Sequence, residues 1–123
     1  MVPRLAMIVC AAALSAGCTP QKVAAVLADG CYYSGGIPVF KVSGRDGQLL
    51  VPGDIARFRV EPGDDTHVMF APGFLLDGVA PDLKNQAANL ARQTVPVKPG
   101  SVPTVTINWA AYGQSEVRRG KPC

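Results

Sequence analysis

The sequence predicts a mainly β fold, a small antiparallel β-sandwich or partly open barrel carrying one or two short helices. Three observations predict it. Several segments alternate apolar and polar residues with the period of two that puts one strand face on a core and the other in water. Thirteen glycines and eleven prolines are scattered through the 123 residues as punctuation between those segments, without an internal repeat or a low-complexity tract. Only two stretches, residues 20–28 and 82–93, carry apolar residues at helical spacing.

The elements follow in order. Gly35-Gly36 is a turn before the first clear strand, residues 37–43 (IPVFKVS), which is rich in β-formers. Residues 44–47 (GRDG) turn the chain, and residues 48–51 (QLLV) return to complete a hairpin. After the turn at Pro52-Gly53-Asp54, residues 55–61 alternate. Ala56, Phe58 and Val60 point one way, and Arg57, Arg59 and Glu61 point the other. Pro62-Gly63-Asp64-Asp65 turns again, and residues 66–71 form a strand with Val68 and Phe70 on one face. Residues 82–93 (DLKNQAANLARQ) read as a helix with Leu83, Ala87, Leu90 and Ala91 near helical spacing, or as a polar loop. Residues 93–98 (QTVPVK) form a strand that Pro96 should push to a sheet edge. Residues 104–109 alternate strictly, with Val105, Ile107 and Trp109 opposite Thr104, Thr106 and Asn108.

The chain opens MVPRLAMIVCAAALSAGC. Arg4 and the amino terminus give a basic start, and residues 5–16 carry no charge. That is the size of a signal h-region, about 7–15 residues, and too short for a spanning helix. The small residues Ser15, Ala16 and Gly17 suit a peptidase cleft. Together they read as a secretory signal peptide over residues 1–17. Ending in Gly17-Cys18, this stretch resembles the lipobox of bacterial lipoproteins. The resemblance covers only these first 18 residues, and Ser15 stands three before the cysteine, where leucine is commonest. It implies cleavage before Cys18, a diacylglyceryl group on its sulfur and an acylated amine. Two or more acyl chains give stable anchoring at about 0.8 kcal/mol per buried methylene. Thr19, which is not aspartate, implies sorting to the outer membrane, with the domain facing the periplasm. Residues 18–30 then form the lipid anchor with a short helix or tether. Thr19 is a helix cap, Pro20 a first helical residue, and Gly30 a stop.

Four cysteines are present. Cys10 leaves with the signal and Cys18 carries the lipid. Cys31 and Cys123 remain, an even pair in an oxidising compartment at the two ends of a single β-rich domain, residues 31–123. Their disulfide would close a loop of roughly 90 residues, a contribution of about 4–5 kcal/mol in the chain-entropy model. No C-x-x-C suggests a redox couple, and the single histidine argues against a metal centre.

The mature chain of roughly 106 residues is one domain by size. The formal charge of +3 for the whole chain is too mild to imply a nucleic-acid partner. The local excess at Arg118-Arg119-Gly120-Lys121 reads as a solvated tail. His67 could be written beside Asp64 or Asp65 in a Ser-His-Asp arrangement, but no G-x-S-x-G marks a nucleophile. Asp64 and Asp65 supply too few oxygens for calcium. No catalytic residue, cofactor or metal is expected.

The aromatic residues remain. Tyr32 and Tyr33 sit beside the expected disulfide, and Trp109 and Tyr112 lie near the other end of the chain. They either pack the disulfide and the core or form an exposed aromatic patch for an envelope protein or a glycan. These readings converge on a non-catalytic binding or structural lipoprotein of the bacterial envelope. In size and layout the chain also resembles periplasmic lysozyme inhibitors, which implies an inhibitor of a secreted hydrolase as the alternative. The serine-glycine-rich loop of that family is not visible.

Overall fold

The computed structural model describes residues 23–98, 102–109, 113–120 and 123, with the backbone alone at Trp109. The expected signal peptide and the lipid-anchor position Cys18 lie outside the described residues.

Ten strands form. They are β1 (Gly30–Ser34), β2 (Ile37–Ser43), β3 (Asp46–Leu49), β4 (Arg57–Pro62), β5 (His67–Ala71), β6 (Phe74–Asp77), β7 (Lys84–Ala87), β8 (Gln93–Lys98), β9 (Thr104–Trp109) and β10 (Gly113–Arg119). Eight of them, β1-β2-β3-β4-β5-β8-β9-β10, pair antiparallel in that order. The ring closes where Tyr32 and Tyr33 of β1 meet Arg119 and Arg118 of β10. The fold is therefore a closed barrel, neither a sandwich nor a partly open one. Strands β6 and β7 make a hairpin between β5 and β8, registered Phe74 to Ala87 through Asp77 to Lys84, and touch the barrel where Leu76 runs parallel beside Trp109.

The barrel is filled. Inward positions are taken by Tyr32, Phe40, Val42, Phe58, Val60, Val68, Phe70, Val95, Val105, Ile107 and Val117, all buried. The four phenylalanines of the chain form one cluster: Phe58–Phe70 centroids lie 4.5 Å apart, Phe58–Phe74 5.3 Å and Phe40–Phe58 5.5 Å. Gly47 of β3 makes room for it, because a Cβ there would overlap the Phe58 ring. The hairpin sends Phe74 into the top of the cluster, with Leu76 buried beside it. Leu27 closes the opposite end.

Asn85 of β7 latches the hairpin to the loop between β3 and β4. It is only 3% exposed. Its Nδ2 donates to the carbonyls of Val51 (2.9 Å) and Ile55 (3.0 Å), and its Oδ1 accepts from Ile55 N–H at 2.8 Å. Its own N–H donates to Pro52 O at 2.8 Å. Gly53 pairs with Asn85 across a parallel bridge, at φ 154° and so close that no Cβ fits.

Neither expected helix is present among the described residues. Residues 23–28 are irregular: Ala25 N–H donates to Asp64 O at 2.8 Å, and Leu27 turns into the barrel end while Val23 and Val26 face out. Residues 82–93 contain β7 instead. Leu83 is buried but Leu90 is exposed, so the apolar positions share no face, and Asn89 is left-handed at φ 59°. Pro96 sits inside the closed ring rather than at an edge. Val97 N–H points at β5, donating to Thr66 O at 2.8 Å, so the Pro96 nitrogen points toward β9. There the β8–β9 ladder covers only Val97 and Lys98. The missing N–H falls where no bond is needed.

The disulfide is present. Cys31 of β1 and Cys123 are joined with their Cα atoms 5.6 Å apart. Beside it, Gly120 N–H donates to Cys31 O at 2.9 Å.

Two outcomes are expected of these features. Gly47→Ala should destabilise by about 1–3 kcal/mol through overpacking against Phe58, read from the urea midpoint. Asn85→Ala should cost about 3 kcal/mol, because carbonyls and an N–H buried at the hairpin lose their partner. It should also raise amide exchange in β6 and β7 before the rest of the barrel.

Candidate functional site

The expected aromatic patch does not assemble around Tyr32. That ring is fully buried inside the barrel, stacked on Phe40 at 4.9 Å. Its hydroxyl donates to Ala28 O at 2.7 Å. Burial pushes its pKa up to about 12, with Asp29 adding to the shift and Arg119 opposing it. Strand alternation forced this: Tyr32 and Cys31 must face opposite ways, and Cys31 is committed to the outer-face disulfide. Tyr33 is half-buried and lies over Gly120, where a Cβ would come within 2.6 Å of its ring. The Trp109 side chain and Tyr112 lie outside the described residues. Tyr32 thus packs the core, the first of the two roles the sequence allows.

His67 and Asp64 do meet, in the turn before β5. His67 Nδ1 lies 2.9 Å from Asp64 Oδ1 and 2.8 Å from Thr66 Oγ1. Both partners use the same ring nitrogen. A relay needs the base held at one nitrogen and the nucleophile at the other, so this geometry cannot pass a proton between the two. The carboxylate instead caps its own turn. Thr66 N–H donates to Asp64 Oδ1 at 2.8 Å. That bond and the His67 contact hold the Asp64 pKa down, at about 2. Among the described residues, no group of three His, Cys, Asp or Glu side chains could hold a metal.

The charges on the outer wall are unevenly arranged. Arg92 pairs with Glu61 at 2.7 Å, and Lys98 and Arg118 share Glu116 at 3.7 and 3.5 Å. Arg119 Nε donates to Asp29 O at 2.7 Å. In contrast, Lys41, Arg57 and Arg59 are exposed and make no ion pair among the described residues. They stand together on the outer face of β2, β3 and β4. Lys41 pairs with Gln48, and Gln48 with Arg57, in one cross-strand row. Ser43, Asp46 and Arg59 make the next row, which ends at Ala71. Ser43, Asp46 and Ala71 are short, so the wall is hollowed between the longer side chains. Two adjoining depressions of ≈ 250 and ≈ 170 Å³ share Asp46, Gly47 and Arg57 as lining.

The sequence already places Arg57 and Arg59 on the outer face of one strand. The register that lays Lys41 beside them across β3 was not readable, because the returning strand starts at Asp46, inside the expected turn.

Compared with protein-family models, curated proteins and solved structures, the chain matches none.

Asp64 provides the pH test. Its folded pKa of about 2 lies below the ordinary carboxylate value, so its contribution to stability is full above the unfolded pKa and is lost as pH falls toward 2. A carboxyl-carbon NMR titration should find that midpoint near 2. In His67→Gln it should rise, yet stay below the ordinary value, because the Thr66 N–H remains.

Proposed function

We infer that this chain is a lipid-anchored module of a bacterial envelope, a non-catalytic binding unit that works through its outer wall.

 It does not act by catalysis. The observation that carries this reading is the filled barrel: the four phenylalanines and Tyr32 occupy the interior, so the surfaces open to a partner lie outside. Three further features support it. The opening MVPRLAMIVCAAALSAGC resembles a lipoprotein signal with Cys18 as the acylated residue. The Cys31–Cys123 bridge suits an oxidising compartment such as the periplasm. The strands are 4–7 residues long with charged residues outward, whereas a strand that crosses a bilayer needs about 9–11 residues and an apolar outer face. The lipid, rather than the barrel, then holds the domain to the membrane, and Thr19 favours the outer membrane.

Fractionation of cells expressing the full chain tests this. Wild type should sediment with membranes, and Cys18→Ala should appear in the soluble fraction or keep its signal peptide. Equal membrane partition of the two with the signal peptide removed from both would overturn the anchor.

A further inference from the structure

We propose that the hollow on the outer face of β2, β3 and β4 is a binding site for an acidic glycan, one whose sugars carry carboxylate or phosphate groups. The proposal rests on the binding-module reading and names the ligand class.

The cations argue for an anion. Arg57 and Arg59 are two residues apart on one strand face, roughly 6.7 Å between Cα atoms. Lys41 lies across β3, two strand spacings or roughly 9.6 Å from Arg57. Like charges on one sheet face repel, and the carboxylate next along the same face of β4, Glu61, is already paired with Arg92. Here Asp46 stands directly opposite Arg59, yet no ion pair forms between them. Among the described residues the two guanidinium groups have no carboxylate partner, so their paired donors present the geometry that carboxylate and phosphate oxygens fit.

The lining argues for a sugar chain over a protein. A protein partner would need buried apolar or aromatic anchors at the centre of the contact. The hollow exposes none: Phe58, the one aromatic residue beside it, is 3% exposed and belongs to the core. Its floor and walls instead present Ser43, Gln48 and Asp46, which can donate to and accept from hydroxyl groups. The hollow runs across the wall from Lys41 of β2 to Ala71 of β5, so it suits an extended chain lying on the wall.

Titration of the detergent-solubilised full chain with oligogalacturonate, dextran phosphate and neutral dextran tests this. At least one of the two anionic chains should bind, and neutral dextran should not. Oligogalacturonate alone would assign the ligand group as carboxylate, and dextran phosphate alone as phosphate. Arg57→Gln/Arg59→Gln should weaken binding about tenfold or more, since each charge-assisted bond is worth about that factor. Lys84→Gln/Lys98→Gln, which removes the same charge from the hairpin and from β8, should change it less than about threefold by the same scale. In wild type the amide signals of Lys41, Gln48 and Arg57 should shift, a readout that does not depend on how the variants fold. Failure of both anionic chains to bind, equal binding of neutral dextran, equal loss in the control pair, or shifts confined to other walls would each overturn the proposal. The titration does not depend on the anchor. A soluble chain that binds would overturn the anchor alone, and a membrane-bound chain that does not bind would overturn this site alone.

Discussion

The structure depends on how an eight-stranded barrel fills its interior. A ring of this size leaves a space just wide enough for side chains. This chain fills it with its four phenylalanines and Tyr32, arranged edge-to-face and stacked at centroid distances of 4.5–6.1 Å. Each partner element answers to that cluster. Gly47 gives up its side chain to Phe58, the β6–β7 hairpin delivers Phe74 from above, and Leu27 closes the far end. The Asn85 latch then ties the hairpin to the loop between β3 and β4, and the Cys31–Cys123 bridge ties Cys123 to β1.

Much of the wall was legible from the residues. IPVFKVS, QTVPVK and TVTINW stand as strands at the bounds expected of them. Phe58, Val60, Val68 and Phe70 face inward as their spacing requires. The cysteine pair also joins as its placement suggested. The misreadings have specific causes. KNQA has no strand propensity, and it pairs because Asn85 is worth more as a buried latch than as a helical residue. GQSEVRR hides only Val117 in full and closes the ring through its neighbours, so no apolar pattern announced it. Ring closure itself is a property of β1 meeting β10, which no local stretch of sequence encodes.

The same arrangement explains why the candidate site lies on the wall. With the interior occupied, a ligand meets only outward side chains, and the pattern of charge pairing becomes the informative feature. Lys98 and Arg118 share Glu116 and Arg92 takes Glu61, while Lys41, Arg57 and Arg59 make no ion pair among the described residues and stand over a hollow. The His67–Asp64 contact, the most conspicuous polar motif in the sequence, resolves into a turn cap because both partners of the ring share one nitrogen.

Among the described residues the barrel is a solid support, its interior filled by side chains. Carbon-detected NMR of the aromatic rings, during titration of the folded protein with palmitate, tests it most directly. The account predicts that the signals of Phe40, Phe58, Phe70, Phe74 and Tyr32 stay unchanged throughout. Saturable shifts of those rings would show that the interior opens to an apolar ligand, and would contradict the account.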